Sequence, residues 1–300
     1  MMRYREENGA AFSVLMAVYY REKPQSFRVA LESITTYQTI KPSEIVLVED
    51  GPLTQELYDV IIDFRKNNAS VLKSVRLDKN MGLATALKVG LEECTNDIVA
   101  RMDSDDISVE DRFEKQLKVM LTGHFDVVGS NTLYFDDNTK AIVGIKKNPE
   151  TMDEVLVYAK RRSPVGHVTA MFKKESVLSV GSYENVLQFE DYWLWIRMIM
   201  AGMKFYSIQE PLVLVRYNDS MLERRGGIKY MKLEWEFLKR ARKEGFFSTR
   251  EYLFNLVTRT SARILPGSIR SLLYSKIMRR PVQSVVSRKT FDILKERGVF

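Results

Sequence analysis

Apolar and polar positions alternate on two different periods along the first 121 residues. Phe12 to Val18 (FSVLMAV) is an unbroken apolar run too short for a helix and reads as a buried strand. Residues 26–38, just after Pro24, carry the helical period. EIVLVED (44–50) is again strand-like, Thr54 to Phe64 an amphipathic helix, and VLKSVRL (71–77) a strand. In residues 81–93 Leu83, Leu87 and Leu91 share one helical face. DIVARMD (97–103) is a further strand, and Val109 to Leu121 fits a helix with Ser108 as its N-cap. Strands separated by helices predict an α/β protein with a mostly parallel sheet, and such sheets bind ligands at the carboxyl ends of their strands.

Beyond residue 124 the strand candidates shorten to 126–131, 141–145 and 168–172, interleaved with helices near 150–161 and 190–201, which suits a mixed extension of the sheet. From Glu223 onward the pattern is helical and cationic, with Pro266-Gly267 as its clearest break. These changes divide the chain into a domain over 1–221, with halves of about 12–123 and 124–221, and a basic helical region over 222–300. With 300 residues, 45% hydrophobic and 28% charged, the chain can bury a large core and is neither disordered nor fibrous.

The net charge of +7 conceals an asymmetry: residues 222–300 hold 19 Lys and Arg against 7 Asp and Glu, and residues 1–221 hold 27 against 32. A basic segment of this kind suits nucleic acid, anionic lipid or plain solvation. One cysteine and two histidines exclude a disulfide framework and a Cys/His zinc site, so a metal here would be held by oxygen. The opening MMRYREENGAAF has no apolar run of signal-peptide length, and no uncharged stretch reaches membrane-spanning length. The expectation is a cytoplasmic protein, soluble or peripheral on the cytoplasmic face of a membrane.

The strongest chemical feature is Arg101-Met102-Asp103-Ser104-Asp105-Asp106, three carboxylates in four positions at the end of an apolar strand. Like charges so close repel, and a divalent cation removes the repulsion. Mg²⁺ and Mn²⁺ prefer oxygen ligands and are commonly shared with substrate phosphates, so a metal diphosphate site follows. The plainer reading is an acidic turn capping the next helix, strongest for Asp106. Glu49-Asp50-Gly51 ends an earlier strand, where an Asp can accept hydrogen bonds from a base imide or a ribose; Asp-Gly is also an ordinary turn. Lys79-Asn80-Met81-Gly82 opens a helix whose unpaired N–H groups favour an anionic ligand or a neighbouring carboxylate. Neither G-x-G-x-x-G nor G-x-x-x-x-G-K-[ST] occurs, which removes the main support for nicotinamide dinucleotide binding and P-loop hydrolysis.

Taken in order, Ala17-Val18-Tyr19, Val48-Glu49-Asp50-Gly51, Asn80-Met81-Gly82 with Ala86-Leu87, Asp103-Ser104-Asp105-Asp106 and Glu190-Asp191-Tyr192 resemble the family 2 inverting glycosyltransferases of the GT-A fold, over roughly residues 12–221. The resemblance implies a nucleotide diphosphate sugar as donor, a UDP-sugar first among them. Asp50 would contact its base, Asn80 and Gly82 would line the nucleotide pocket, and Ala17 and Tyr19 would border it. Asp103, Ser104 and Asp105 form the D-x-D element, which holds ribose and a Mn²⁺ or Mg²⁺ ion, with Asp105 on the metal. Arg101 either neutralises the cluster or reaches the donor. Inversion requires a carboxylate to take the acceptor proton, and the family's E-D motif points to Asp191, beside Glu190; acidic residues also favour a helix's first turn for dipole reasons alone. His167, in an H-x-T-x-M setting, is implied near the acceptor or the phosphates, or is a core histidine held by backbone. Arg216 could meet the diphosphate. Trp193 and Trp195 suit either a sugar ring or the core.

The family's Q-x-x-R-W arrangement is absent, so one sugar per encounter is expected. The implied acceptor is a glycan or a lipid-linked hydroxyl. Residues 252–280 mix apolar and basic positions as an in-plane helix on an anionic bilayer would; nothing resembles an RNA-binding module, so nucleic acid is not an expected partner. Two other readings compete. A nucleotidyltransferase would carry a Gly-rich loop after the first strand, where Tyr19 to Pro24 has no glycine. A catalytically silent membrane-surface assembly subunit would use the basic region alone.

Overall fold

The computed structural model describes residues 11–139, 141–217 and 227–264. Its first half follows the alternation closely: β1 (Ser13–Val18), α1 (Pro24–Ser33), β2 (Glu44–Glu49), α2 (Gln55–Asn68), β3 (Leu72–Arg76), α3 (Leu83–Glu93) and β4 (Ile98–Asp103). Then come β5 (Ile107–Ser108), α4 (Arg112–Met120), β6 (Val127–Asp136), β7 (Ile142–Lys146), α5 (Met152–Ala159), a 3₁₀ turn (His167–Thr169), β8 (Met171–Lys173), α6 (Lys174–Ser179), α7 (Glu190–Met200), β9 (Phe205–Tyr217), α8 (Gly227–Lys243) and α9 (Thr249–Ile264).

One nine-stranded sheet runs β3-β2-β1-β4-β8-β6-β9-β5, with β7 on β6. β1, β2, β3 and β4 are parallel, and β1, β2 and β4 are buried almost throughout because helices cover both faces, while β3 at the sheet edge is only partly buried. β8 enters antiparallel to both β4 and β6 and makes the sheet mixed. Register sets the site. Ala17 lies opposite both Val48 and Asp103, and Val18 opposite Glu49, so the carboxyl ends of β1, β2 and β4 finish in one row.

Two expectations shift for tertiary reasons. The helix expected from Val109 begins at Arg112, because Ile107 and Ser108 pair with Leu214 and Val213 of β9 and the Ser108 N–H donates to Ser33 Oγ (3.0 Å). Ser108 is thus a strand residue, not an N-cap. The strand expected over 168–172 divides, since the Ala170 N–H bonds His167 O (3.1 Å) and closes a 3₁₀ turn before β8.

The two described helices of the basic region pack on the rest of the protein. Phe237 of α8 stacks on Phe189 with centroids 4.7 Å apart, and Tyr230, Leu238, Phe246 and Phe247 join the core cluster that holds Trp193 and Trp195. Several of the basic region's cations are neutralised internally: Arg259 and Arg263 of α9 converge on the buried Glu234, and Arg240 meets Glu184. The Pro266-Gly267 break and residues 265–280 of the 252–280 stretch expected on a bilayer lie outside the described residues. Among the described residues no helix is long and apolar enough to cross a membrane.

Candidate active site

The acidic turn between β4 and β5 is strapped at both ends by the sheet, β4 pairing with β1 and β5 with β9. The turn is therefore not free to splay its charges. One carboxylate oxygen each from Asp103, Asp105 and Asp106 lie within 4.8 Å of one another. Burial, then the Asp103 and Glu22 charges, push the Asp105 carboxyl up to about 7; burial and then Asp105 drive Asp106 well above the usual carboxylate range. Three hard oxygen donors this close together, two of them pushed toward their protonated forms, are a donor set that a divalent cation satisfies.

Cations from two directions brace this turn. Arg101, 1% exposed, lies beneath it and pairs with Asp103, while its Nε and Nη1 are buried without hydrogen-bond partners. Burial opposes the charge of Arg101, and Asp103 outweighs it, so the guanidinium stays protonated. Arg216, at the end of β9, donates its backbone N–H to Asp106 Oδ1 (3.0 Å) and its Nε to the Asp105 carbonyl (2.6 Å), and pairs with Asp137. Arg216 therefore holds the turn in shape. Asp106 accepts from β9 and does not cap α4.

Asp50 is 4% exposed and fully engaged: Oδ1 accepts from the Met81 N–H (2.6 Å), and Oδ2 from the Gly82 N–H and Asn80 Nδ2 (3.0 Å each). The helix start of α3 thus takes the neighbouring-carboxylate alternative, and Asp50, Asn80 and Gly82 form one hydrogen-bonded cluster. Gly51, at φ +86°, is required here, because a Cβ would lie 2.5 Å from the Asn80 nitrogen. Glu49 points elsewhere, to Arg76 of β3 (2.9 Å). Val18, between Ala17 and Tyr19 at the end of β1, accepts from the Asp50 N–H (2.8 Å), and Tyr19 just beyond the strand is exposed. The Ser104 hydroxyl donates to Glu22 Oε2 (2.7 Å).

The second acidic motif opens α7. Ser163 Oγ donates to Asp191 Oδ2 (3.2 Å), and burial followed by the Asp191 charge pushes Glu190 up to about 7. The two motifs converge: Glu190 feels both Arg101 and Asp103, and the buried Tyr183 feels Arg101 on one side and Asp191 and Glu190 on the other. His167 shares a hydrogen bond with the Tyr183 hydroxyl (3.1 Å) rather than being held by backbone, and burial plus the charge of Arg101 keep it neutral, well below the usual histidine range. Trp193 and Trp195 are fully buried, so the core reading holds for both.

Four contributors escaped the sequence reading: Glu22, Asp137, Tyr183 and the buried Arg112, which donates Nη2 to the Arg101 carbonyl (2.8 Å) and is pushed down to about 9 by burial and Arg101. Each sits far in sequence from the group it meets. Only Glu22 carried a signal, as a charge in the loop that ends β1.

Comparison with known proteins identifies the family. The family described as glycosyl transferase family 2 matches residues 13–187. The UDP-Gal:alpha-D-GlcNAc-diphosphoundecaprenol beta-1,3-galactosyltransferase of Escherichia coli is 38% identical over 274 residues, covering 90% of this chain and 97% of its own. The amylovoran biosynthesis glycosyltransferase AmsE of Erwinia amylovora is 39% identical over 269 residues, covering 88% and 98%. Among solved structures, the mannosyltransferase PcManGT from Pyrobaculum calidifontis, in complex with GDP-Man and Mn²⁺, superposes with TM-score 0.61 at 15% identity, covering 96% of this chain and 80% of that one. S. aureus TarS 1-349 with UDP-GlcNAc gives TM-score 0.61 at 16% identity, covering 83% and 72%. These two share the fold, which is the GT-A arrangement. With a family match over more than half its length and relatives alike from end to end, the chain belongs to glycosyl transferase family 2 and is a glycosyltransferase.

Proposed function

We propose that this glycosyltransferase moves a sugar from a nucleoside diphosphate sugar, a UDP-sugar first, to a hydroxyl of a lipid-linked glycan, with inversion at the anomeric carbon. The observation that carries this reading is the braced turn in which Asp103, Asp105 and Asp106 bring their oxygens within 4.8 Å. Asp103 and Asp105 would hold Mn²⁺ or Mg²⁺, whose chemistry is to stabilise charge on the departing diphosphate. Mn²⁺ accompanies GDP-Man in the PcManGT structure, which supports the choice of ion. The lipid-linked acceptor rests on the name of the E. coli relative.

In this reading the cluster of Asp50, Asn80 and Gly82 seats the base and ribose, bordered by Ala17, Tyr19 and Ser104. Arg101, paired with Asp103, neutralises the turn. Asp191 takes the acceptor proton; the hydroxyl of Ser163 on its Oδ2 orients the carboxylate. Glu190, held near 7, lowers the charge beside it. Neutral His167 on Tyr183 is a contact for acceptor or phosphate. The basic region contributes a peripheral contact with an anionic membrane on the cytoplasmic side.

Thermal melting with UDP-, GDP- and dTDP-sugars, each with and without Mn²⁺ or Mg²⁺, tests the reading, because a ligand that binds only the native state raises apparent stability. A rise that needs both nucleotide sugar and metal is expected. No metal-dependent shift across the panel overturns it.

A further inference from the structure

Helix α9 packs Tyr252 and Leu256 against the core and carries further apolar side chains on its outer side. Its exposed positions include 250, 253, 254, 257, 258 and 261, a single stripe at helical spacing, and they carry Leu253, Phe254 and Val257 at 51%, 50% and 65% exposure. Its polar Asn255 is the buried one, donating Nδ2 to the Lys160 carbonyl (2.9 Å). A second stripe lies on α5, where Leu156 and Val157 are exposed, Val157 at 74%.

The two stripes meet. Arg161, just past the end of α5, sets its guanidinium 3.7 Å from the Phe254 ring centroid, and its carbonyl accepts from Arg259 of α9. One face therefore presents five large apolar side chains together with Arg161, Arg162 and Arg250, all exposed. Asp153 and Glu154 stand in the first turn of α5, Asp153 one turn before Leu156 and Val157 on the same side, so the positive charge of the face is concentrated at its Arg161 end. The chain that continues from α9, residues 265–300, carries 8 Lys and Arg against 2 Asp and Glu.

We propose that this α5/α9 face rests on an anionic lipid bilayer, Leu156, Val157, Leu253, Phe254 and Val257 entering the acyl boundary and the arginines meeting lipid phosphates. Apolar and cationic side chains on one face are the combination that anionic interfaces select. A contiguous exposed apolar patch marks an interaction surface, and the arginines around this one select an anionic partner. The face also joins the site, since Ser163, which donates to Asp191 Oδ2, follows Arg162 directly. A hydroxyl anchored to lipid would reach the candidate base along the rim that touches the bilayer. In its biological sense the inference rests on the lipid-linked acceptor reading above.

Flotation of the full chain tests it, with vesicles of equal parts phosphatidylcholine and phosphatidylglycerol, or of phosphatidylcholine alone. Wild type should float with the anionic vesicles only, less so as salt rises. Phe254→Glu/Val257→Glu on α9 and, independently, Val157→Glu on α5 should each lower the floated fraction about tenfold, with unchanged melting and unchanged nucleotide-sugar turnover in detergent. Wild type that fails to float, or variants that float as wild type does, overturns the proposal. So does a wild-type dimer that Val157→Glu converts to a monomer, since a second copy would then own the face. Turnover absent while flotation behaves as expected rejects the transferase reading and leaves the face standing.

Discussion

Asp105→Asn should make the metal-free protein more stable while removing its donor binding. The structure supplies the sign and the size. Burial and the charges of Asp103 and Glu22 hold the Asp105 carboxyl near 7 in the fold, against 3.8 ordinarily. The folded state thus keeps a proton that the unfolded chain gives up. This stabilisation is fully present below about pH 4 and is lost as pH rises towards 7, after which the ionised carboxylate sits among its neighbours at constant cost. Three tenfold steps at ~1.4 kcal/mol each come to about 4 kcal/mol, which partial exposure and solvent screening reduce to about 1–3 kcal/mol. Asparagine keeps the shape and cannot ionise. Urea denaturation in chelator should show no gain for Asp105→Asn near pH 4, a gain that grows with pH, and a plateau of about 1–3 kcal/mol above pH 7. Added Mn²⁺ should stabilise wild type above pH 7 and leave the variant unmoved. A variant less stable than wild type at pH 8, or an equal response of both proteins to Mn²⁺, would falsify the argument that the acidic turn is incomplete without a dication.

Three further outcomes follow from the geometry. Gly82→Ala should lose about 1–3 kcal/mol, because its φ of 85° with ψ of 158° is a backbone conformation essentially reserved for glycine; Gly51→Ala adds to its own positive φ a clash with the Asn80 backbone and should lose about 2 kcal/mol more than Gly82→Ala, and equal losses in denaturation would refute the close approach. Asp191→Ala should leave the nucleotide-sugar melting shift intact and lower turnover by about a thousandfold, whereas normal turnover removes Asp191 as the base. Arg216→Met should release the acidic turn from β9, raising the donor KM about tenfold with a smaller effect on kcat, since an Arg that bonds backbone and carboxylate together contributes roughly 1–3 kcal/mol; an unchanged KM shows that the sheet alone holds the turn.

The sheet's first half was legible because β1, β2 and β4 are buried on both faces, so their apolar runs are nearly unbroken and the helical period between runs is clean. The D-x-D and E-D motifs were legible for a related reason: acidic residues directly after or before apolar elements stand out. Folding decided what those residues touch. Asp50 spends both oxygens on residues 80–82 because β2 and the start of α3 finish side by side, a relation that only strand register supplies. Ser108 became a strand residue, and Arg216 a brace for the acidic turn, because β9 lies against β5. Arg112, Tyr183 and Glu22 join the site across 11, 16 and 82 residues of chain respectively. The basic C-terminal charge, one block in the linear sequence, divides in space: part is neutralised by Glu234 and Glu184, and part stays on the face that α9 and α5 build together. Periodicity reports which side of an element is dry. It carries no information about which distant side chain arrives there, because that depends on how strands order themselves in the sheet.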